Sequence, residues 1–239
     1  MGVESRPELL ENLEERLGHR FRDRELLERA LRHGSAADSW SEGSYQRLEY
    51  LGDAVLGHAV ARMLYHGFPD EDEGVLTRMK AFLIRSESLA ARAVELGLDA
   101  VVELGRSEET GGGRWRAALL EDVFEAVVGA LELDGGWDVA YRFIESVFAP
   151  ELEQLDEETL RLADPKSALQ EAAQARHLPL PEYRLVRTGR GSDHAPLWVF
   201  DVIWDGETLA RGEGPNKRIA QTQAARKALY RLGLARRRG

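Results

Sequence analysis

The sequence predicts two domains: an all-α domain over residues 1–150, then an α+β domain of order α-β-β-β-α over residues 164–234. An acidic linker at 151–163 joins them, and a basic tail follows at 235–239. Three observations predict this. Apolar residues recur at three- and four-residue spacing through the first 150 positions, the period of a helix face. A strong two-residue alternation, with Trp198, Phe200, Val202 and Trp204 on one face, comes only after residue 164. Charge divides at the same place. Residues 1–150 carry 17 Lys+Arg against 29 Asp+Glu (−12), residues 151–163 carry 1 against 5 (−4), and residues 164–239 carry 14 against 8 (+6), within a chain of net charge −10.

The helical periods run through Leu9, Leu10, Leu13 and Leu17, then Leu26, Leu27 and Leu31, then Leu48, Leu51, Val55 and Leu56. They continue over residues 83–96 and 119–133. Breaks follow residue chemistry: residues 34–43 are small and polar, Gly67-Phe-Pro-Asp is a turn, Gly111-Gly-Gly reads as a flexible hinge, and Asp134-Gly-Gly closes the last helix. Gly52 and Gly129 fall inside helices, where glycine costs about 1 kcal/mol relative to Ala. Their expected use is close approach of two helices. The acidic stretch reads as a linker or a solvated helix ending near Asp164. Beyond it, residues 165–177 suit a helix capped by Asp164. Strands are expected over 182–187, 197–204 and 208–211, and a closing helix runs from Pro215 to Leu232.

With 239 residues, 43% of them apolar, the chain has enough apolar surface to bury real cores. No apolar run reaches the roughly 18 residues of a membrane span. The N-terminal MGVESRPELLENLEERL lacks the apolar stretch of a signal peptide. With no cysteine, disulfide and thiolate chemistry are excluded. The expectation is a cytoplasmic protein with no membrane partner. An acidic body followed by a basic module suits a protein that binds metal with one part and a polyanion with the other, although on charge alone a solvated surface fits equally.

The chemistry-bearing residues of the first domain are acids in apolar company. Residues 46–56, QRLEYLGDAVL, place Glu49 and Asp53 four apart on one helical face. Residues 119–130, LLEDVFEAVVGA, place Asp122 and Glu125 three apart among Val123, Phe124, Ala126, Val127 and Val128. Four carboxylates pressed into apolar surroundings repel one another and are poorly solvated, so a cation should hold them together. Hard oxygen donors without Cys or clustered His favour Mg²⁺, with Mn²⁺ as a substitute, over zinc or copper.

In the second domain the informative segment is Gly212-Glu-Gly-Pro-Asn-Lys-Arg-Ile-Ala-Gln-Thr-Gln-Ala-Ala225. The expectation is that its glycines let the backbone approach a ligand, that Pro215 starts the helix, and that Lys217 and Arg218 fall in its first turn beside unpaired N–H groups able to hold phosphate, with Asn216 next to them also expected to bind RNA. This segment resembles the GxGxxKKxAxxxAA signature of the double-stranded RNA binding domain. The resemblance extends over residues 164–234 and implies RNA contacts at Gln170 and Gln174 on the first helix and at His194 in the loop between the first two strands. Such a module reads A-form shape more than sequence.

RLEYLGDAVL together with DVFEAVVGALELDGG resembles the ribonuclease III family, whose bacterial members join an all-helical nuclease domain to a double-stranded RNA binding domain in this order. The resemblance implies metal ligands at Glu49, Asp122 and Glu125, catalytic roles for Asp53 and Glu125, and an accessory acid at Glu73. It implies a homodimer acting on double-stranded RNA, with processing of ribosomal, messenger and transfer RNA precursors, and 5′-phosphate and 3′-hydroxyl products. One ion can activate a water for in-line attack on phosphorus while a second stabilises the departing 3′-oxygen. Gln46 departs from the family, which commonly has Glu there, and His33 stands in ALRHGS where ALTHxS is common. Tyr50, beside Glu49, is a candidate for an interface contact or a core aromatic.

Other chemistries fit less well. Attack by the RNA 2′-hydroxyl would need acid and base groups such as paired histidines, and the six histidines, His19, His33, His58, His66, His177 and His194, form no such pair. A carboxylate di-iron bundle would need Glu-x-x-His pairs, and the chain has none. A binding protein with a dead nuclease domain would have no use for four mutually repelling acids.

Overall fold

Helix α8 (Ala117–Gly135) is the axis of the first part of the chain, because its sequence leaves little polar surface to expose. Leu119, Leu120, Val123, Phe124, Ala126, Val127, Val128, Ala130 and Leu131 are all buried. The computed structural model describes residues 5–37, 43–190 and 195–236. The chain forms two units, Met1–Glu153 and Gln154–Gly239.

In the first unit the helices are α1 (Arg6–Leu17), α2 (Arg24–Ala30), α3 (Gln46–Gly67), α4 (Glu73–Leu83), α5 (Ser86–Glu95), α6 (Leu98–Val101), α7 (Arg106–Thr110), α8, and α9 (Trp137–Leu152). α8 packs against α2, α3, α5, α6 and α9. Each large side chain that such packing buries contributes about 1.5–3 kcal/mol. The α3–α8 contact is made at glycines. A Cβ on Gly52 would lie 1.7 Å from the Glu125 carbonyl oxygen, and one on Gly129 would lie 2.2 Å from that of Leu48. The two backbones therefore touch, and the helix-internal glycines serve the close approach expected of them.

The far end of α8 is clasped to the segment after α1. Asp134 accepts hydrogen bonds from the amides of Arg22 (3.0 Å) and Asp23 (2.9 Å) and lies 2.7 Å from His19 Nε2. Burial works to raise its pKa, but these partners outweigh burial and hold it below the ordinary aspartate value. The three glycines expected to form a hinge before α8 are an ordered turn instead. Gly112 adopts a left-handed conformation (φ 73°), and Gly113–Trp115 is a 3-10 turn. Arg114 fixes this turn, donating to the Val102 carbonyl at 3.1 Å and to Glu109 at 2.6 and 2.9 Å.

The second unit holds α10 (Glu157–Ala163), α11 (Pro165–Ala175), an antiparallel sheet in the order β1 (Glu182–Arg190), β2 (Pro196–Trp204), β3 (Glu207–Gly214), and α12 (Lys217–Arg231). Its core gathers Leu169 and Ala173 from α11, Val202 and Trp204 from β2, Leu209 from β3, and Ala224, Ala225, Ala228 and Leu229 from α12. Asp164 caps α11, accepting from the Ser167 amide at 3.3 Å. Part of the acidic stretch is folded: α10 is capped by Asp156, packs on α11 and buries Leu160. Ala235 is also buried, and the Arg236 amide donates to Glu158.

The third strand is longer than its sequence pattern implied, and the difference changes the meaning of the glycines. Gly212 and Gly214 pair with Phe200 and Trp198, so they end β3 and do not line a loop. A Cβ on Gly212 would lie 2.2 Å from the Ala220 carbonyl oxygen, and one on Gly214 would lie 2.7 Å from Ile219. These glycines admit α12, not a ligand. The helix starts two residues later than expected, at Lys217: Asn216 is its cap, accepting from the Ile219 amide at 2.9 Å, and Pro215 precedes it.

Gly52→Ala is expected to destabilise the first unit by about 3 kcal/mol, the upper end for overpacking, because the clash is with backbone; urea denaturation checks this. Because the folded pKa of Asp134 is depressed, its contribution is fully present above the unfolded value near 3.9 and is lost as pH falls below it. Asp134→Asn should therefore be less stable than the parent at pH 6, with the gap narrowing toward pH 3 in the same measurement.

Candidate active site and nucleic-acid interface

The backbone contact at Gly52 and Gly129 determines what the neighbouring side chains meet. Glu49 and Asp53 flank Gly52 on α3, and Asp122 and Glu125 occupy the facing turns of α8. Glu49, Asp122 and Glu125 are half-buried and Asp53 is exposed, so solvent reaches the cluster from the Asp53 side.

The electrostatics record the crowding. Burial, then the charges of Asp122, Asp53 and Glu121, push the Glu49 carboxyl up to about 7. Burial, then the charges of Asp53, Glu121, Glu49 and Asp122, push Glu125 up to about 8. Asp122 is also raised, chiefly by burial, with a hydrogen bond from Tyr45 opposing the rise. The four acids predicted from sequence thus act on one another across the two helices. Among the described residues, no three His, Cys, Asp or Glu side chains are gathered closely enough to hold an ion as they stand. The donor set itself fits a hard divalent cation: it offers oxygen atoms only, and Glu49, Asp122 and Glu125 are raised in pKa by burial and then by neighbouring negative charge, both of which a cation would offset.

Three participants were not identified from sequence. Glu121, next to Asp122, adds a fifth negative charge to the field. Tyr45 is 3% exposed, and its hydroxyl donates to Asp122 Oδ2 at 3.3 Å. Burial, then the charge of Asp122, raises its own pKa far above the usual tyrosine range. His33 lies edge-on to Tyr45, with ring centroids 5.7 Å apart, and its charge favours ionised Asp122. The available signal was an aromatic one position before an acid helix, which no periodicity distinguishes from a core residue.

Glu73 stands apart from this group. It is exposed in the first turn of α4, accepts from the Thr77 hydroxyl at 3.0 Å, and is not among the charges that shift Glu49, Asp122 or Glu125. Gln46 is exposed in the first turn of α3. Tyr50 is 83% exposed, which excludes a core role within this chain.

In the second unit, Gln170 and Gln174 project one turn apart from the exposed side of α11, while Leu169 and Ala173 face the core. Asn216, Lys217 and Arg218 are exposed at the start of α12. His194 lies outside the described residues.

Residues 23–152 match the ribonuclease-III-like family, and residues 165–232 match the double-stranded RNA binding motif. A helical nuclease domain paired with a duplex-RNA binding domain defines an endonuclease class that carries its own grip on its substrate. The chain is 47% identical to ribonuclease 3 of Methylocella silvestris over 93% of its length and 92% of that protein. It is 46% identical to ribonuclease 3 of Azorhizobium caulinodans over 93% and 94%. The nuclease domain of ribonuclease III from Campylobacter jejuni superposes with a TM-score of 0.57 at 35% identity, covering 62% of this chain and 98% of that one. The chain belongs to the ribonuclease III family, double-strand-specific endoribonucleases that depend on a divalent metal.

Because Glu49 and Glu125 hold protons more tightly folded than unfolded, the metal-free protein loses stability as pH rises from about 4.5 toward 8. Glu125→Gln should be more stable than the parent in EDTA at pH 8 by roughly 1 kcal/mol, a figure discounted for the solvent that reaches the site. The gain should shrink on titration to pH 5. Thermal melts at the two pH values check it.

Proposed function

We propose that this chain hydrolyses phosphodiester bonds of double-stranded RNA with Mg²⁺, or Mn²⁺ in its place, leaving 5′-phosphate and 3′-hydroxyl ends. The observation that carries the reading is the α3–α8 crossing, which sets Glu49 and Asp53 against Asp122 and Glu125 at a solvent-accessible edge. Glu49, Asp122 and Glu125 would hold the metal, Glu125 with a catalytic share. Asp53, the exposed member, would orient the attacking water. A divalent ion so bound supplies an acidified water and neutralises charge developing on the phosphate. Tyr45 donates to Asp122 Oδ2 and so fixes which oxygen remains free to face the cluster. Glu73 has a place in this scheme only as an accessory acid, reached by substrate away from the four-acid cluster.

The second unit would supply affinity. Gln170 and Gln174 suit minor-groove contact, His194 a second minor groove, and Asn216, Lys217 and Arg218 the phosphates between. The net charge of the chain repels RNA, so attraction has to come from this basic part. The division of labour we propose is a nuclease domain at 1–150, the connecting stretch 151–163, the RNA-binding domain at 164–234 and a basic tail at 235–239. The strands of a duplex are related by two-fold axes, so cutting both suits a homodimer. The 83% exposed Tyr50, one residue from Glu49, is the contact we propose for it. Precursors of ribosomal RNA, with some messenger and transfer RNA precursors, are the proposed substrates, which places the work in the cytoplasm.

An end-labelled RNA hairpin should be cut by the purified protein in Mg²⁺. With Glu125→Gln, or with the parent in EDTA, it should be bound and left intact, the variant losing at least ~100-fold in rate. Binding without cleavage in every lane would make the chain an RNA-binding regulator instead.

A further inference from the structure

We infer that Lys166, at the start of α11, is a third phosphate-binding cation of the second unit, working beside Lys217 and Arg218 of α12. The inference rests on the duplex-RNA binding role proposed above. α12 is richly basic, yet its later cations are tethered at backbone carbonyls, away from Lys217 and Arg218. Arg226 donates to the Leu162 carbonyl at 3.1 Å, Lys227 to that of Arg211 at 3.0 Å, and Arg231 to that of Leu209 at 2.8 Å. Lys217 and Arg218 remain exposed and make no ion pair among the described residues. One turn farther along, the position that would continue their face is Gln221, which is neutral and 8% exposed.

Lys166 supplies charge at that point from the neighbouring helix. Its Nζ donates to Gln221 Oε1 at 3.0 Å and stands 5.0 Å from the centroid of the Tyr183 ring. An ammonium has three donors, and Gln221 takes one. No carboxylate lies within ion-pair distance of Lys166 among the described residues, so a half-buried cation is oriented but not neutralised. Gln170 lies one turn along α11 from Lys166, and Lys217 one turn back along α12 from Gln221. Lys166 therefore stands where the exposed glutamines of one helix meet the exposed cations of the other. A ligand engaging both faces is a duplex whose phosphates pass between them, and an RNA backbone supplies the anionic oxygens the ammonium lacks. Holding Lys166 in place through Gln221 also removes much of the entropic cost of ordering a lysine on binding.

The test uses the full-length protein and a blunt RNA duplex in EDTA, so that nothing is cut, with dissociation constants measured over a KCl series. Each phosphate contact adds roughly one to the slope of log affinity against log salt. Lys166→Met should reduce that slope by about 1 and weaken binding severalfold at moderate salt. Its thermal midpoint should stay close to the parent's, and Lys166→Arg should keep the parent slope. Should Lys166→Met fail to fold, Lys166→Gln, which retains a donor for Gln221, is read in the same way. An unchanged slope in the uncharged variant, whatever its affinity, would make Lys166 a packing residue and overturn the inference. Failure of the parent itself to bind duplex RNA would instead remove the functional reading on which the inference rests.

Discussion

The site depends on the contact of α3 with α8 at Gly52 and Gly129. With 1.7 Å between a notional Cβ on Gly52 and the Glu125 carbonyl oxygen, no other residue fits without separating the helices. Separation would move Glu49 and Asp53 away from Asp122 and Glu125 together. The glycines cost helix propensity and gain nothing locally. Their effect appears in the tertiary structure, where Glu49 and Glu125, half-buried at the close crossing, are both raised by burial and by their neighbours' negative charge. The rest of the first unit holds α8 in that position: helices pack around it, Asp134 clasps its end, and the Arg114 turn fixes the approach to its start.

Stability and chemistry pull against each other at this crossing. The apolar neighbours of the acids on α8 are buried core residues of the first unit, so the repulsion is set against well-packed surroundings. Asp53 gives the cluster an open side through which solvent can reach its half-buried members. Tyr45 has the opposite situation. It is almost wholly enclosed, and its hydroxyl donates to Asp122, so that carboxylate is held by the fold while its charge acts on Glu49 and Glu125.

What the sequence revealed follows from how local each signal is. Helix faces, the alternation of β2 and the paired acids are patterns within a few residues, and all four acids of the cluster were named from them. The strand order, the helix cap and the hidden partners needed tertiary information. Gly212 and Gly214 look like a phosphate loop because glycine tolerates any nearby surface, and only the pairing to β2 shows that the surface is α12. The three glycines before α8 look like a hinge for the same reason, yet Arg114 locks them from outside their own segment. Tyr45 and Glu121 were missed because their roles depend on which helix lies opposite, and periodicity does not carry that.

The burial of α8 on nearly every side also determines where the nuclease unit can change length. A helix enclosed by neighbours has little free face along which to shift register, and both of its ends are anchored, so a residue added between Asp122 and Glu125 would turn one of the two acids away from α3. Chain can be gained or lost in the connecting segments, between α2 and α3 or between α6 and α8, provided the anchors at Tyr45 and Arg114 survive. A change of length that spares the carboxylates therefore belongs in the approaches to the acid helices, where it would reshape the rim of the site.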